Sequence, residues 1–211
     1  MNRWAGKSLY RLDPTAPVVN GFVELEDDGT VILTGVCADP AAEPVFYDGA
    51  IAPGFVNAHC HVELSYMKGL FRKGTGMAGF IDQINELRDT KSMEEKVRDL
   101  TVAMDSLWEQ GVVAMADISN CADSFAVKAR HPMYTRTFLE VFGTEPEDCG
   151  AVMDGVRKLK EVADGFGIDA APTPHACYTM SPELVTAVSV EGLKSGFLSF
   201  HSEETEEEEE M

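Results

Sequence analysis

The sequence predicts an α/β fold made of two regions, a short all-β region and a longer region in which strands and helices alternate. Residues 1–52 contain short apolar runs and turn signals but no convincing helix, whereas residues 53–211 alternate strand and helix about five times. Such alternation is typical of a parallel sheet built from right-handed βαβ units. An open doubly wound sheet and part of a (β/α)8 barrel both fit this pattern.

The all-β region is predicted from its turns. The stretch GFVELEDDGTVILTGV contains two apolar runs joined by Asp27-Asp28-Gly29, a sequence that favours a tight turn between strands. Asp48-Gly49 is a second turn candidate. We therefore expect a small β module over residues 1–52, ahead of the α/β region.

The α/β region begins with a short apolar strand, FVNA at residues 55–58, which runs into His59. Ser92 followed by Glu95 is the pattern of a capping box and predicts the start of a long helix, which Gly111 would end. A complete (β/α)8 barrel needs about 250 residues, so residues 53–211 would account for about strands one to five. The predicted helices cover residues 80–88, 93–110, 123–130, 146–163 and 181–190, and the later strands cover residues 112–116, 133–142, 168–172 and 196–201.

Composition and charge argue against several classes of function. The chain has no apolar run long enough for a transmembrane helix, and its N-terminus lacks the apolar stretch of a signal peptide, so we expect a cytoplasmic protein with no membrane partner. The net charge is -19, and an acidic protein repels the phosphates of nucleic acids. No P-loop or G-x-G-x-x-G loop opens a helix, which argues against a phosphate-binding protein. The five cysteines form no C-x-x-C pair and are expected to be reduced thiols.

His59-Cys60-His61 is the sharpest chemical feature of the sequence. It lies at the C-terminal end of the apolar strand that follows Pro53-Gly54. In a strand, residues i and i+2 point to the same face, so the two imidazoles would converge on one point, as a metal ion needs. Two histidines on a solvated face are the alternative. Zinc and its neighbours accept neutral imidazole nitrogen, and barrel active sites lie at the C-terminal ends of strands, so the setting favours a metal site.

Further candidates follow other predicted strands. His201 ends the apolar run FLSF, and Glu203 and Glu204 come soon after it. A carboxylate a short step beyond a metal ligand can shuttle protons to and from water. Glu204 is either such a proton-transferring carboxylate or only one of the first residues of the acidic run. For Glu203 we favour the second interpretation. His175 could contact substrate, bind metal or be a loop histidine. Asp117 could face the site or start a turn.

Three segments of the chain resemble the amidohydrolase superfamily, and more narrowly its cytosine deaminase/chlorohydrolase-like branch. PGFVNAHCH at residues 53–61 resembles the segment that opens the barrel in that superfamily. PHACYTMS at residues 174–181 is similar to the branch's P-H-x-x-Y-x-x-S segment, and HSEET at residues 201–205 is similar to its H-x-x-E-T segment. Within the branch, HVELS at residues 61–65 resembles the H-x-E-[FL]-S stretch of aminofutalosine deaminase-like enzymes.

The resemblance implies a more specific fold and a set of roles. Residues 53–211 would be a partial (β/α)8 TIM barrel, about strands 1–5, and residues 1–52 would be part of a small β-sandwich. One divalent ion, zinc in the first place or Fe²⁺ as an alternative, would be bound by His59, His61 and His201. Glu204 would be the general acid/base and His175 would orient the substrate. Glu63 would contact the substrate or simply be a charged residue at the start of a loop.

The activity that the resemblance implies is deamination of a small-molecule substrate, an aminated heterocycle of the purine or nucleoside kind, by a metal-activated water. The same apparatus could hydrolyse a C–Cl bond or an amide. The family also uses a His after strand six and an Asp after strand eight, which we expect beyond residue 211, in a full-length protein that forms a homodimer. The alternative is an inactive, truncated amidohydrolase fragment.

Overall fold

The computed structural model describes residues 2–206 and residue 208. The chain divides into two compact units, Met1–Gly54 and Phe55–Met211. None of the described helices is both long and apolar enough to span a membrane.

The first unit is a four-stranded sheet with the strand order β3-β2-β1-β4. Strands β1 and β2 and strands β2 and β3 pair antiparallel, whereas β1 and β4 pair parallel. The turn predicted at Asp27-Asp28-Gly29 joins β2 to β3, and Gly29 takes the positive φ of 88° that a glycine accepts without strain. The described residues of this unit form one sheet, so they do not themselves complete the sandwich that the resemblance implied. The strands are Asn2–Leu9 (β1), Val18–Leu25 (β2), Val31–Val36 (β3) and Phe46–Ile51 (β4).

The second unit is a parallel sheet covered by helices, as the alternating pattern predicted. Its four strands pair in sequence order, β5-β6-β7-β8, and every pairing is parallel. The capping box at Ser92 and Glu95 is present, with the side chain of each residue accepting from the backbone amide of the other. The strands are Phe55–Cys60 (β5), Val112–Ser119 (β6), Tyr134–Val141 (β7) and Asp169–Pro174 (β8), and the helices are Gly76–Leu87 (α1), Met93–Glu109 (α2), Phe125–Lys128 (α3), Cys149–Gly165 (α4) and Pro182–Gly192 (α5).

The predicted strand over residues 196–201 is wrong. This segment runs beside β8, but among the described residues its one bridge is an isolated parallel bridge between His201 and Ala176, which lies two residues after the end of β8. Pro172 and Pro174 of β8 have no amide hydrogen and cannot donate to a neighbouring strand. The hydroxyl of Thr173 replaces part of the ladder, because it donates to the Ser199 carbonyl at 2.6 Å and accepts from the Ser199 amide at 2.9 Å.

Two apolar clusters form the core of the second unit. One packs β7 and β8 against α4 and α5, and the other packs β5 and β6 against α2. Cys60 joins the second cluster beside Met115, so it faces away from its two histidine neighbours, as the strand alternation predicted. The helices therefore cover one face of the sheet, and the histidines lie on the other face.

The close approach of α5 to β8 gives a test of this packing. A Cβ added at Gly192 would lie 2.2 Å from the Pro172 carbonyl oxygen and 2.4 Å from a methyl carbon of Leu198. We predict that Gly192→Ala destabilises the protein by about 1–3 kcal/mol, the usual range for overpacking, in urea denaturation.

Gly155, also helical, is the matched control, because a Cβ added there meets nothing within 4 Å. Gly155→Ala should stabilise the protein by about 0.5–1 kcal/mol through helix propensity. Equal effects of the two substitutions would show that α5 does not pack against β8 in this way.

Candidate metal centre

Three histidines meet at the carboxyl edge of the parallel sheet. His59 lies in the last part of β5, His61 directly follows that strand, and His201 lies on the segment beside β8. One ring nitrogen from each lies within 4.8 Å of the others, and the Nε2 atoms of His61 and His201 are 3.2 Å apart. The structure thus brings together all three residues that the sequence singled out as ligands.

This geometry fits a divalent ion. In a tetrahedral zinc site the metal–nitrogen distance is about 2.0–2.1 Å, which places neighbouring nitrogens roughly 3.3 Å apart. The 3.2 Å separation of the His61 and His201 nitrogens is close to that value. The donor set of three imidazoles also suits zinc and other first-row metals rather than calcium or magnesium, which prefer oxygen.

Burial and neighbouring charge set the protonation of these rings. Burial, followed by the effect of His201, lowers the pKa of His59, and burial likewise lowers the pKa of His61. Both shifts favour the neutral form that a metal requires. The Glu140 carboxylate has the opposite effect on His201 and raises its pKa, against the effect of burial.

Glu140 is a site residue that sequence reasoning missed. It is buried at the end of β7, and its Oε1 lies 3.2 Å from Nδ1 of His201. Burial alone would raise its pKa, but contacts with His201, His175 and Asn120 outweigh burial and lower it. The available signal was its position near the C-terminal end of a predicted strand, since active-site residues of barrels lie at that end of the strands.

His175 lies at the same edge, just after β8. Its Nδ1 is 2.8 Å from Oγ1 of Thr179, and its ring centroid is 4.8 Å from that of His201. Burial lowers the pKa of His175, so this ring also favours the neutral form. With Nδ1 engaged by Thr179, Nε2 is the ring nitrogen left for another partner.

Glu204 is exposed and follows His201 by three residues. Its carboxylate accepts a hydrogen bond from the hydroxyl of Tyr178, and its charge acts to raise the pKa values of His59 and His201. Glu203 is exposed and takes a left-handed conformation with φ 58°. Glu204 is thus the one of the two whose carboxylate is hydrogen-bonded to a side chain of the site.

Glu63 is buried rather than open to the site. It lies in the 3-10 turn Val62–Met67 after β5, where its two carboxylate oxygens accept from the Asn120 amide, each at 3.1 Å, and one also accepts from the Cys121 thiol. Burial raises the pKa of Glu63 to about 7. This carboxylate holds the loop after β6, and the substrate contact suggested for it stays a prediction.

Asp117 has neither of the roles that the sequence left open. It is fully buried on β6 and accepts from the Val62 amide at 2.7 Å and from the Ser119 hydroxyl at 3.0 Å. The ammonium of Lys128, itself buried, forms an ion pair with it and donates to Ser119 and Thr137. Asp117 therefore fixes the backbone immediately after His61.

Comparisons with known proteins show what the fold is similar to. No protein-family model matches the sequence, and no curated protein matches it. Among solved structures, aminofutalosine deaminase from Helicobacter pylori in complex with methylthio-coformycin matches with a TM-score of 0.74 and 19% identity, over 95% of this chain and 50% of that chain. An adenosine deaminase from Xanthomonas campestris with bound zinc matches with a TM-score of 0.73 and 16% identity, over 97% of this chain and 50% of that chain.

An atrazine chlorohydrolase from Arthrobacter aurescens complexed with zinc is also similar, with a TM-score of 0.69 and 14% identity, over 90% of this chain and 50% of that chain. The chain thus spans about half the length of the structures that it matches. At these identities the likeness establishes the fold, and it confirms at that level the resemblance to the first half of amidohydrolase-superfamily deaminases and chlorohydrolases.

We predict that the double variant His59→Ala with His61→Ala loses bound metal, because two of the three imidazoles are removed. Metal content should be measured by mass spectrometry after expression with zinc, and should fall from about one ion per chain to near zero.

His131→Ala is the control, since His131 lies near Trp108 and Asp105, away from the three-histidine group. It should retain the wild-type metal content. Equal metal content in the wild type and the double variant would contradict the assignment.

Proposed function

We propose that this protein is a metal-dependent hydrolase of the amidohydrolase superfamily, and that it deaminates an aminated heterocycle of the purine or nucleoside kind. The observation that carries the proposal is the convergence of three imidazoles at the carboxyl edge of a parallel sheet. That edge is where active sites of (β/α)8 barrels lie. The two deaminases and the chlorohydrolase among its structural neighbours support the same class of reaction.

The proposal includes a fold. Strands β5 to β8, with the segment 196–201 beside β8, would be about the first five strands of a (β/α)8 barrel. The sequential, all-parallel strand order supports this arrangement, because adjacent strands of such a barrel follow one another along the chain. Residues 1–52 would then contribute to a β-sandwich and residues 53–211 to the barrel.

His59, His61 and His201 would hold the ion, with zinc preferred and Fe²⁺ the alternative. When bound, a divalent ion supplies Lewis acidity that activates water for attack near neutral pH. Zinc is also bound in the adenosine deaminase and chlorohydrolase neighbours.

The side chains around the three histidines supply proton transfer and orientation. Glu204 takes a proton from the attacking water and delivers it to the ring nitrogen or the leaving amine of the substrate. The Tyr178 hydroxyl, which donates to the Glu204 carboxylate, holds that carboxylate in position. His175 donates or accepts through Nε2 to orient the heterocycle, since Thr179 engages its other nitrogen.

Hydrolysis of a C–Cl bond is the second candidate, because a chlorohydrolase is among the structural neighbours. The two reactions release different products from comparable substrates. A panel of aminopurine nucleosides and chlorinated triazines, followed by assays for ammonia and chloride, separates them. Ammonia release from an aminopurine nucleoside is the result that the proposal expects.

In the full-length protein, Glu204→Gln should retain metal and lose turnover by about 10²–10⁴-fold, because glutamine keeps the shape of the side chain but cannot accept the proton. Turnover should be measured on the best substrate of the panel, with metal content measured on the same samples.

Glu203→Gln is the matched control, since it changes the adjacent exposed carboxylate. It should retain most of the activity. Loss of turnover in Glu203→Gln instead of Glu204→Gln would show that the proton-transfer role belongs to Glu203 and that its assignment to Glu204 is wrong.

A further inference from the structure

We infer that Glu140 is a positioning residue for His201. Its carboxylate fixes the tautomer and the orientation of that imidazole so that Nε2 is free to bind the ion. The inference rests on the proposed metal centre, but it concerns a contact that is present in the chain without any ion.

The two nitrogens of His201 face different partners. Nε2 lies 3.2 Å from Nε2 of His61, on the side of the three-histidine group. Nδ1 lies 3.2 Å from Oε1 of Glu140, on the opposite side of the ring. A proton on Nδ1, facing the carboxylate, leaves the lone pair of Nε2 for a metal.

Nδ1 of His201 and Oε1 of Glu140 are buried, and neither has a hydrogen-bond partner among the described residues. Their 3.2 Å separation is that of an ion pair, but its angles fall short of a hydrogen bond. A buried polar atom without a partner is costly, and these two atoms lie close enough to satisfy each other.

Glu140 is itself held in place from the other side. Its Oε2 accepts from Nδ2 of Asn120 at 3.1 Å, and the same amide group lies 3.2 Å from the Glu140 carbonyl. The backbone amide of Asn120 donates to the Glu63 carboxylate. Glu63, Asn120, Glu140 and His201 therefore form a continuous chain of polar contacts from the turn after β5 to the segment beside β8.

Histidine ligands of metals commonly donate their second ring N–H to a carboxylate, which fixes the tautomer and raises the basicity of the ligand. Loss of such a partner typically weakens metal binding by about 10–100-fold. The contacts of Glu140 match this arrangement, and its carboxylate does not need to touch the ion to act.

Glu140, His175 and His201 also offer ligand atoms within 4.8 Å of one another, so they could hold a second ion. His201 would then need both ring nitrogens deprotonated to serve two ions. The positioning role requires only the ordinary neutral ring, and we favour it for that reason. The number of ions per chain decides between these two roles.

Glu140→Gln is the informative variant. The Asn120 amide group donates to the residue at 140, so a glutamine there turns its carbonyl toward Asn120 and its NH₂ toward His201. A donor facing Nδ1 favours the opposite tautomer, with the proton on Nε2, and this blocks the metal-binding nitrogen. The substitution thus preserves shape and inverts the hydrogen bond.

Two measurements on the full-length protein test the inference. Histidine side-chain ¹H–¹⁵N spectra of the metal-free protein, at a pH where the ring is neutral, should show the proton of His201 on Nδ1 in the wild type and on Nε2 in Glu140→Gln. Zinc titration against a chelator should show one ion per chain in both, bound about 10–100-fold more weakly in the variant. Glu147→Gln, a change in the 3-10 turn Pro146–Asp148, is the control and should alter neither readout.

An unchanged tautomer with unchanged zinc affinity in Glu140→Gln would overturn the inference. Two ions per chain in the wild type and one in the variant would replace it with a second metal site. A tautomer change in a protein that binds no zinc would support the role of Glu140 and refute the proposed metal-dependent function.

Discussion

The buried carboxylate of Asp117 is the interaction on which the geometry of the site depends. It accepts from the amide of Val62, the residue directly after His61, and so holds the end of β5 against β6. Lys128 neutralises it from α3 within a fully buried ion pair. Removing either partner would leave a buried charge, a change that typically costs about 3–5 kcal/mol. The direction in which His59 and His61 project is thus built into the packing of the sheet.

A second set of polar contacts positions His201 on the far side of the site. The Glu63 carboxylate holds the Asn120 amide, and Asn120 in turn holds Glu140. His201 lies against Glu140 on a segment that β8 supports mainly through the Thr173 hydroxyl. Because His59 and His61 come from β5 and its end, and His201 comes from the segment beside β8, the three imidazoles can meet only if the parallel register is maintained. A catalytic constellation held this way is preorganised by its scaffold.

Much of this architecture could be predicted from local patterns. The alternation of β5 places His59 and His61 on one face and Cys60 in the core, and the Ser92 capping box begins α2 as expected. The segment at 196–201 was predicted as a strand from its apolar run, but the prolines of β8 remove the donors that a regular ladder needs. Local pattern could not show this, since it describes one strand and not its neighbour.

The site residues that the sequence did not predict were missed for a different reason. Glu140 meets His201 across 61 positions of sequence, and Asn120 meets Glu63 across 57. No spacing rule links residues so far apart, and a carboxylate at the end of a strand is by itself a common feature. Asp117 was noticed, but its partners Val62 and Lys128 become evident only when β5, β6 and α3 are packed together. Long-range polar pairing is the part of the site that only the folded chain reveals.

The central claim is that His59, His61 and His201 share one ion. Anomalous diffraction at the zinc edge, from crystals of the zinc-loaded full-length protein, tests it most directly. A single strong peak about 2.0–2.1 Å from one ring nitrogen of each histidine is the expected result. A peak bound elsewhere, with these three rings lacking an ion, would contradict it.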